Sequence, residues 1–227
     1  MQRSRCPPPV LGTSKGCVEN CIWIKLDCMF PFKTCREPDC PNLAAYNSDV
    51  CLMHMEDPAA YTAEIRNLLS AADTIADLNL SLIELADMDL SGKSINHCAL
   101  SRAKLTNINF DGASIRFVFL DFAVLIGCSF RKSRLLSAVF AGAEIADSDF
   151  TGSDIARCNF CGVRCRKTLF DESDLYASRF IGSRLEELGF RDCNLKQVRF
   201  EHAGLSKVDF RSSNTEDAFF EEKARQP

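Results

Sequence analysis

Residues 138–160 read AVFAGAEIADSDFTGSDIARCNF, with large apolar side chains at Phe140, Ile145, Phe150, Ile155 and Phe160. Small ones stand two places before each of these, at Ala138, Ala143, Ser148, Ser153 and Cys158. Both series advance by five. A helix repeats near 3.6 residues and a strand near 2, so neither continues through such a stretch. Residues two apart do share one side of an extended segment. Each block is therefore a very short strand that turns one small and one large side chain inward, followed by a corner.

The pattern extends far in both directions. From Leu80 to Phe220, 28 of the 29 residues at this five-residue spacing are apolar, and Thr215 is the exception. From Cys98 to Ala218, 23 of 25 small positions hold Ala, Cys, Ser, Thr or Val, with Ile108 and Leu188 departing from the rule. Glycines such as Gly142 and Gly152 fall two places after the large residue, where a corner needs backbone freedom. Self-similarity at a fixed period is the signature of a solenoid.

Runs such as Ala113-Ser114-Ile115, Ser153-Asp154-Ile155, Ser173-Asp174-Leu175 and Cys193-Asn194-Leu195 resemble the A(D/N)LXX consensus of the pentapeptide-repeat family, over residues 78–220. The resemblance implies an all-β solenoid, a right-handed quadrilateral β-helix with four blocks per coil and about seven coils stacked at ~4.8 Å. One wall would then carry a ladder from Phe110 to Phe210 and the opposite wall one from Phe140 to Phe220, with Leu and Ile on the other two. Facing ladders of this kind would fill a narrow core and leave no ligand cavity. Cys98, Cys128, Cys158, Cys165 and Cys193 fall on inward positions. Cys161 falls on an outward one, which makes it the repeat cysteine expected to be reactive.

Ahead of the repeats the texture changes. Seven of thirteen cysteines lie before residue 52, and all eight prolines except Pro227 lie at or before Pro58. The chain divides into a Cys/Pro-rich head (1–56), a helical connector (57–75), the repeats (76–222) and a short tail (223–227). In the connector, Asp57 can cap a helix, Pro58 suits its first turn, and Tyr61, Ile65, Leu68 and Leu69 form a stripe. The spacing predicts a helix over 58–71 that covers the open end of the solenoid. In the head, Cys35 and Cys40 are followed, after a loop, by Cys51-Leu-Met-His54. Two close pairs of soft ligands suit one tetrahedral Zn²⁺, and four protein donors make the site structural. Cys6, Cys17, Cys21 and Cys28 form a weaker second set.

The formal charge of −4 gives no strong pull toward nucleic acid, and residues 76–220 hold 20 acidic and 18 basic side chains. The few bases of the head argue against phosphate binding there. The start of the chain lacks the apolar run of a secretory signal, and Cys21 to Phe32 is too short and too charged to span a bilayer. A cytosolic protein with reduced thiols is expected. The three histidines, His54, His97 and His202, do not assemble a nucleophilic triad, so a binding scaffold is expected rather than an enzyme. The family's gyrase-binding DNA mimics of the quinolone-resistance type supply the main alternative. One patch breaks the rule that outward positions are polar: Phe117, Phe119, Phe122, Val124, Ile126, Leu136 and Val139. Contiguous apolar surface marks an interface, to be covered by the head, a second copy or a protein partner.

Overall fold

The structure, a computed structural model, describes residues 32–221. From Thr74 onward the chain winds as a four-walled parallel β-helix in which each rung pairs with the residue 20 positions ahead. The first wall holds the strands Thr74–Ala76, Ser94–Asn96, Ser114–Arg116 and Arg134–Leu136, continued by single bridges through Asp154, Asp174 and Asn194. The third wall is a seven-stranded sheet from Glu84–Asp89 to Gly204–Ser206. The second and fourth walls are built of single bridges, Asn79–Ala99–Phe119–Val139–Asn159 on one and Asn109–Ser129–Asp149–Leu169 on the other. Most strands are only three residues long because a corner interrupts the chain every five.

Two sets of backbone hydrogen bonds tie coil to coil. The N–H groups of Phe140, Phe150 and Phe160 donate to the carbonyls of Asn159, Leu169 and Arg179 in the next coil, each at 2.7 Å. The outward residue just before donates the opposite way, as Asn159 does to Ala138 at 2.9 Å. The corners impose a second rule. Every residue two places after a ladder residue, from Asp77 to Ser212, has φ between 48° and 71°. That left-handed region is costly for branched side chains, and none of these positions holds Val, Ile or Thr.

The interior is solid. Phe110, Phe130, Phe150, Phe170, Phe190 and Phe210 stack face to face at 4.5–5.4 Å. The opposing ladder from Phe140 to Phe220 stacks likewise, and the two meet edge-to-face, as Phe150 does with Phe160 at 6.5 Å. Edge-to-face contact lets the electropositive rim of one ring meet the electronegative face of the other. The small inward positions are interchangeable because their polar atoms are satisfied. Ser178 Oγ donates to the Ile155 carbonyl at 2.6 Å, and the Cys158 thiol reaches the Leu135 carbonyl at 3.3 Å. Burial pushes the Cys158 and Cys165 thiols up to about 12.

The ends differ. The helix α1 (Pro58–Ala71) closes the N-terminal end, its first turn capped by the Asp57 carboxylate accepting from the Ala60 N–H at 2.9 Å. Ile65 and Leu69 are buried in the core beneath the first coil. At its other end Lys93 Nζ donates to the carbonyls of Ser70 and Ala72. At the far end of the rod, Thr215, the one polar ladder residue, opens a 3-10 turn (Thr215–Asp217) where the wall breaks off. Leu205 and Phe220 there are 41% and 37% exposed.

The register makes a prediction. Phe160 is fully buried, so Phe160→Ala should cost about 3–5 kcal/mol of stability. Asn159→Ala, one residue away but outward, should change it by less than ~0.5 kcal/mol. Chemical denaturation of both variants checks this, and equal losses would show the register to be wrong.

Candidate metal centre

The head is folded by local turns that converge four ligand atoms. A bridge between Thr34 and Leu43 closes a loop, and within it the Cys40 N–H donates to the Glu37 carbonyl around Asp39, whose φ is 60°. Cys35 and Cys40 thus come back together across five positions. Cys51 opens the 3-10 turn Leu52–His54, in which His54 N–H donates to the Cys51 carbonyl at 2.9 Å. A turn of three residues puts positions 51 and 54 on one side.

The outcome is a compact quartet. The Sγ atoms of Cys35, Cys40 and Cys51 and the ring nitrogen of His54 all lie within 4.8 Å of one another. Cys35 Sγ is 3.4 Å and Cys51 Sγ 3.5 Å from His54 Nδ1, and Cys40 Sγ is 3.8 Å from Cys51 Sγ. A tetrahedral zinc with its usual bond lengths sets ligand edges of ~3.8 Å between sulfurs and ~3.6 Å between sulfur and nitrogen. The donor set and its spacing therefore fit a metal ion of that kind. The surroundings of Cys35 favour its thiolate, and those of Cys51 do not. Burial works to raise the Cys35 thiol, but hydrogen bonds led by the Cys51 N–H, with His54, outweigh it and hold it at about 7. Burial pushes Cys51 up to about 11, while Asn42 Nδ2 donates to its sulfur at 3.7 Å. The second set, Cys6, Cys17, Cys21 and Cys28, lies outside the described residues.

Other residues seat the quartet on the rod, and the repeat pattern alone gave no signal for them. Asn79, on the first rung of the second wall and 2% exposed, donates from its side-chain amide to the Ala44 carbonyl at 2.5 Å. Its backbone carbonyl accepts the Tyr46 N–H at 2.9 Å. Tyr61 of α1 donates its hydroxyl to the Tyr46 carbonyl at 3.2 Å, so head, helix and first coil share one junction. An outward Asn among Ala, Phe and Val on the same wall was the only sequence trace of this contact.

The apolar patch is one surface wrapped around the second wall. Phe117 and Leu136 flank one corner, with Phe117 stacked on His97 at 5.4 Å. Phe122 lies at the other corner, so close above Gly142 that a Cβ there would come within 2.7 Å of the ring. Val124 and Ile126 continue onto the third wall. Phe122 and Ile126 are well exposed, at 53% and 41%, and Phe117, Val124, Leu136 and Val139 partly so. Two expectations are corrected. Phe119, read as an exposed outward ring, is only 8% exposed, and Cys161, read as an accessible thiol, is 6% exposed. Position in the block gives the direction of a side chain but not what lies over it.

Repeat-family models match the chain over most of the rod: pentapeptide repeats (8 copies) over residues 94–130 and 120–155, and a pentapeptide repeat region over 153–224. The chain belongs to the pentapeptide-repeat family. Solved structures of the same kind resemble it. HetL, a pentapeptide repeat protein involved in heterocyst differentiation regulation in the cyanobacterium Nostoc sp. strain PCC 7120, is 14% identical, with a TM-score of 0.36 over 69% of this chain and 95% of that one. A pentapeptide repeat protein of the Arabidopsis thaliana thylakoid lumen is 19% identical, with a TM-score of 0.36 over 52% and 68%. QnrB1, a plasmid-mediated fluoroquinolone resistance protein, is 12% identical, with a TM-score of 0.31 over 63% and 92%. No curated protein matches the chain. At these identities the likeness concerns the fold alone.

The junction can be tested separately from the metal. Asn79→Ala should weaken the seat of the head by about 1–3 kcal/mol, since the buried Ala44 carbonyl loses its donor. Limited proteolysis should cut the Asn47–Ser48 turn faster in the variant, with metal content and the β-helix circular dichroism unchanged.

Proposed function

We propose that this protein is a non-enzymatic scaffold, a rigid rod that holds fixed outward side-chain ladders toward a protein partner, with a head fastened by one structural zinc ion. The observation that carries this reading is the filled interior: the rings from Phe130 to Phe190 are fully buried, so the rod encloses no substrate cleft among the described residues. In the quartet, Cys35, Cys40, Cys51 and His54 would supply all four zinc ligands and leave none open for a reacting water. Bound zinc would supply cross-linking energy to a head too small to bury a core of its own. Nine free cysteines among the described residues suit a reducing compartment such as the cytosol. Among those residues no helix is long and apolar enough to cross a membrane.

The DNA-mimicking alternative needs an anionic surface, and the charges here are laddered in opposite pairs. Glu84 faces Lys104 at 2.6 Å, Glu144 faces Arg164 at 2.9 Å and Glu187 faces Lys207 at 2.8 Å, each one coil apart. Exposed pairs of this sort add little stability, but they cancel the field a basic partner would follow.

Two measurements test the proposal. Elemental analysis of protein purified without chelator should find about one zinc per chain, lost in the double variant Cys51→Ser with His54→Ala, whose head alone becomes protease-sensitive. Metal-free protein with a protease-resistant head would defeat the zinc assignment. For the scaffold, cross-linking mass spectrometry of the full chain in its native cells should place a stoichiometric protein partner on outward positions that recur every 20 residues along one wall. Inhibition of gyrase supercoiling by equimolar purified protein would instead favour the DNA mimic.

A further inference from the structure

The third wall carries a column of outward side chains whose charges follow an order. Glu84, Lys104, Val124, Glu144 and Arg164 stand one coil apart, each registered on the next through the parallel strands of that wall. Read along the rod, the column is negative, positive, apolar, negative, positive. The adjoining column places Ile126 between the small side chains of Thr106 and Ala146. Phe122 projects at the corner beside them, and it and Ile126 are 53% and 41% exposed. All four charged residues of the column have more than half of their side-chain surface open. An apolar centre in a polar frame marks a contact with another macromolecule.

The order of the charges says which one. A two-fold axis lying across the wall at the height of Val124 turns a second rod antiparallel and sets each column against itself, reversed. Lys104 then faces Glu144 of the second copy, Glu84 faces its Arg164, and Val124 and Ile126 meet their own counterparts. The corner column agrees. Asp87 and Lys167, two coils to either side of Gly127, come opposite one another, as do the Asn107 amide and the Asp147 carboxylate. Within its own chain Lys104 already lies against Glu84 and Arg164 against Glu144. The paired columns therefore form a checkerboard in which each charge has opposite signs beside it and across from it.

Other registers fail. Sliding one rod by a single coil sets Lys104 against Arg164 in one direction and Glu84 against Glu144 in the other. Like charges held face to face repel, which suppresses both arrangements. Parallel rods would offer Lys104 only Thr106, and Glu144 only Ala146.

We propose that the third wall is a self-recognition surface, on which two copies of this chain pair side by side and antiparallel about Val124 and Ile126. One wall of a rod is narrow, so the contact belongs with small, reversible interfaces and dissociates in the micromolar range. The pairing leaves the first and fourth walls of both rods uncovered, so it stands or falls independently of the scaffold reading.

Sedimentation equilibrium of the full-length protein, from about 1 to about 200 μM, should show a reversible monomer–dimer equilibrium. Lys104→Glu and Glu144→Lys each bring like charges face to face twice in the dimer, and each alone should weaken association about tenfold or more. An equimolar mixture of these two variants should pair again, to within about threefold of the wild type, because the altered residue of one now faces the altered residue of the other. Neither variant regains its own intrachain ion pair in that mixture, so the rescue reads contact between copies and not stability of the rod. Ile126→Asp should abolish pairing, and the β-helix circular dichroism should stay intact in all three variants. Wild-type protein that remains monomeric over the whole range would overturn the proposal. So would a dimer that Ile126→Asp leaves unchanged, or charge variants whose mixture does not recover.

Discussion

In each coil only two side chains per wall point into this rod, and the space between the walls is no wider than two phenylalanine rings meeting edge to face. Phe150 touches its ladder neighbours Phe130 and Phe170 flat, and Phe140 and Phe160 across the axis on edge. A ring displaced by one position would meet a small residue or solvent. The 20-residue coil, the inter-coil hydrogen bonds and the left-handed corners all serve to deliver each ring to this lattice. Near the end of the rod the flanking aliphatic ladder gives out first: at Thr215 the backbone makes a 3-10 turn, while Phe220 beyond it still stacks on Phe200.

Much of this was legible in the chain because the relevant interactions are periodic. The ladders, the corner positions and the capping helix follow from spacing alone, and the quartet of Cys35, Cys40, Cys51 and His54 follows from ligand chemistry. What escaped was aperiodic. Asn79 reads as an ordinary outward residue until the head is seated on it, 35 positions earlier in the chain at Ala44. Phe119 and Cys161 were placed on the right side of the wall but given the wrong environment. A repeat determines orientation by local geometry, whereas burial of an outward residue depends on segments the repeat does not contain.

Head and rod solve complementary problems. The rod supplies its own core but has an open first coil, with Ile75, Leu78 and Leu80 needing cover. The head and α1 supply that cover through Ile65, Leu69, Tyr61 and Tyr46 but lack a core of their own. The shared junction at Tyr46, Tyr61 and Asn79 joins the two. Each half thus stabilises the other, as terminal repeats do for solenoids generally.

The 20-residue winding also restricts how such a gene can change in length. Duplicating one whole coil would insert a copy of every wall, keep Phe over Phe and Leu over Leu, and lengthen the rod by ~4.8 Å. Duplicating a single five-residue block would instead rotate everything downstream by a quarter turn and set aliphatic ladders against aromatic ones. Tolerated insertions and deletions between Leu80 and Phe220 are therefore quantised in units of four blocks.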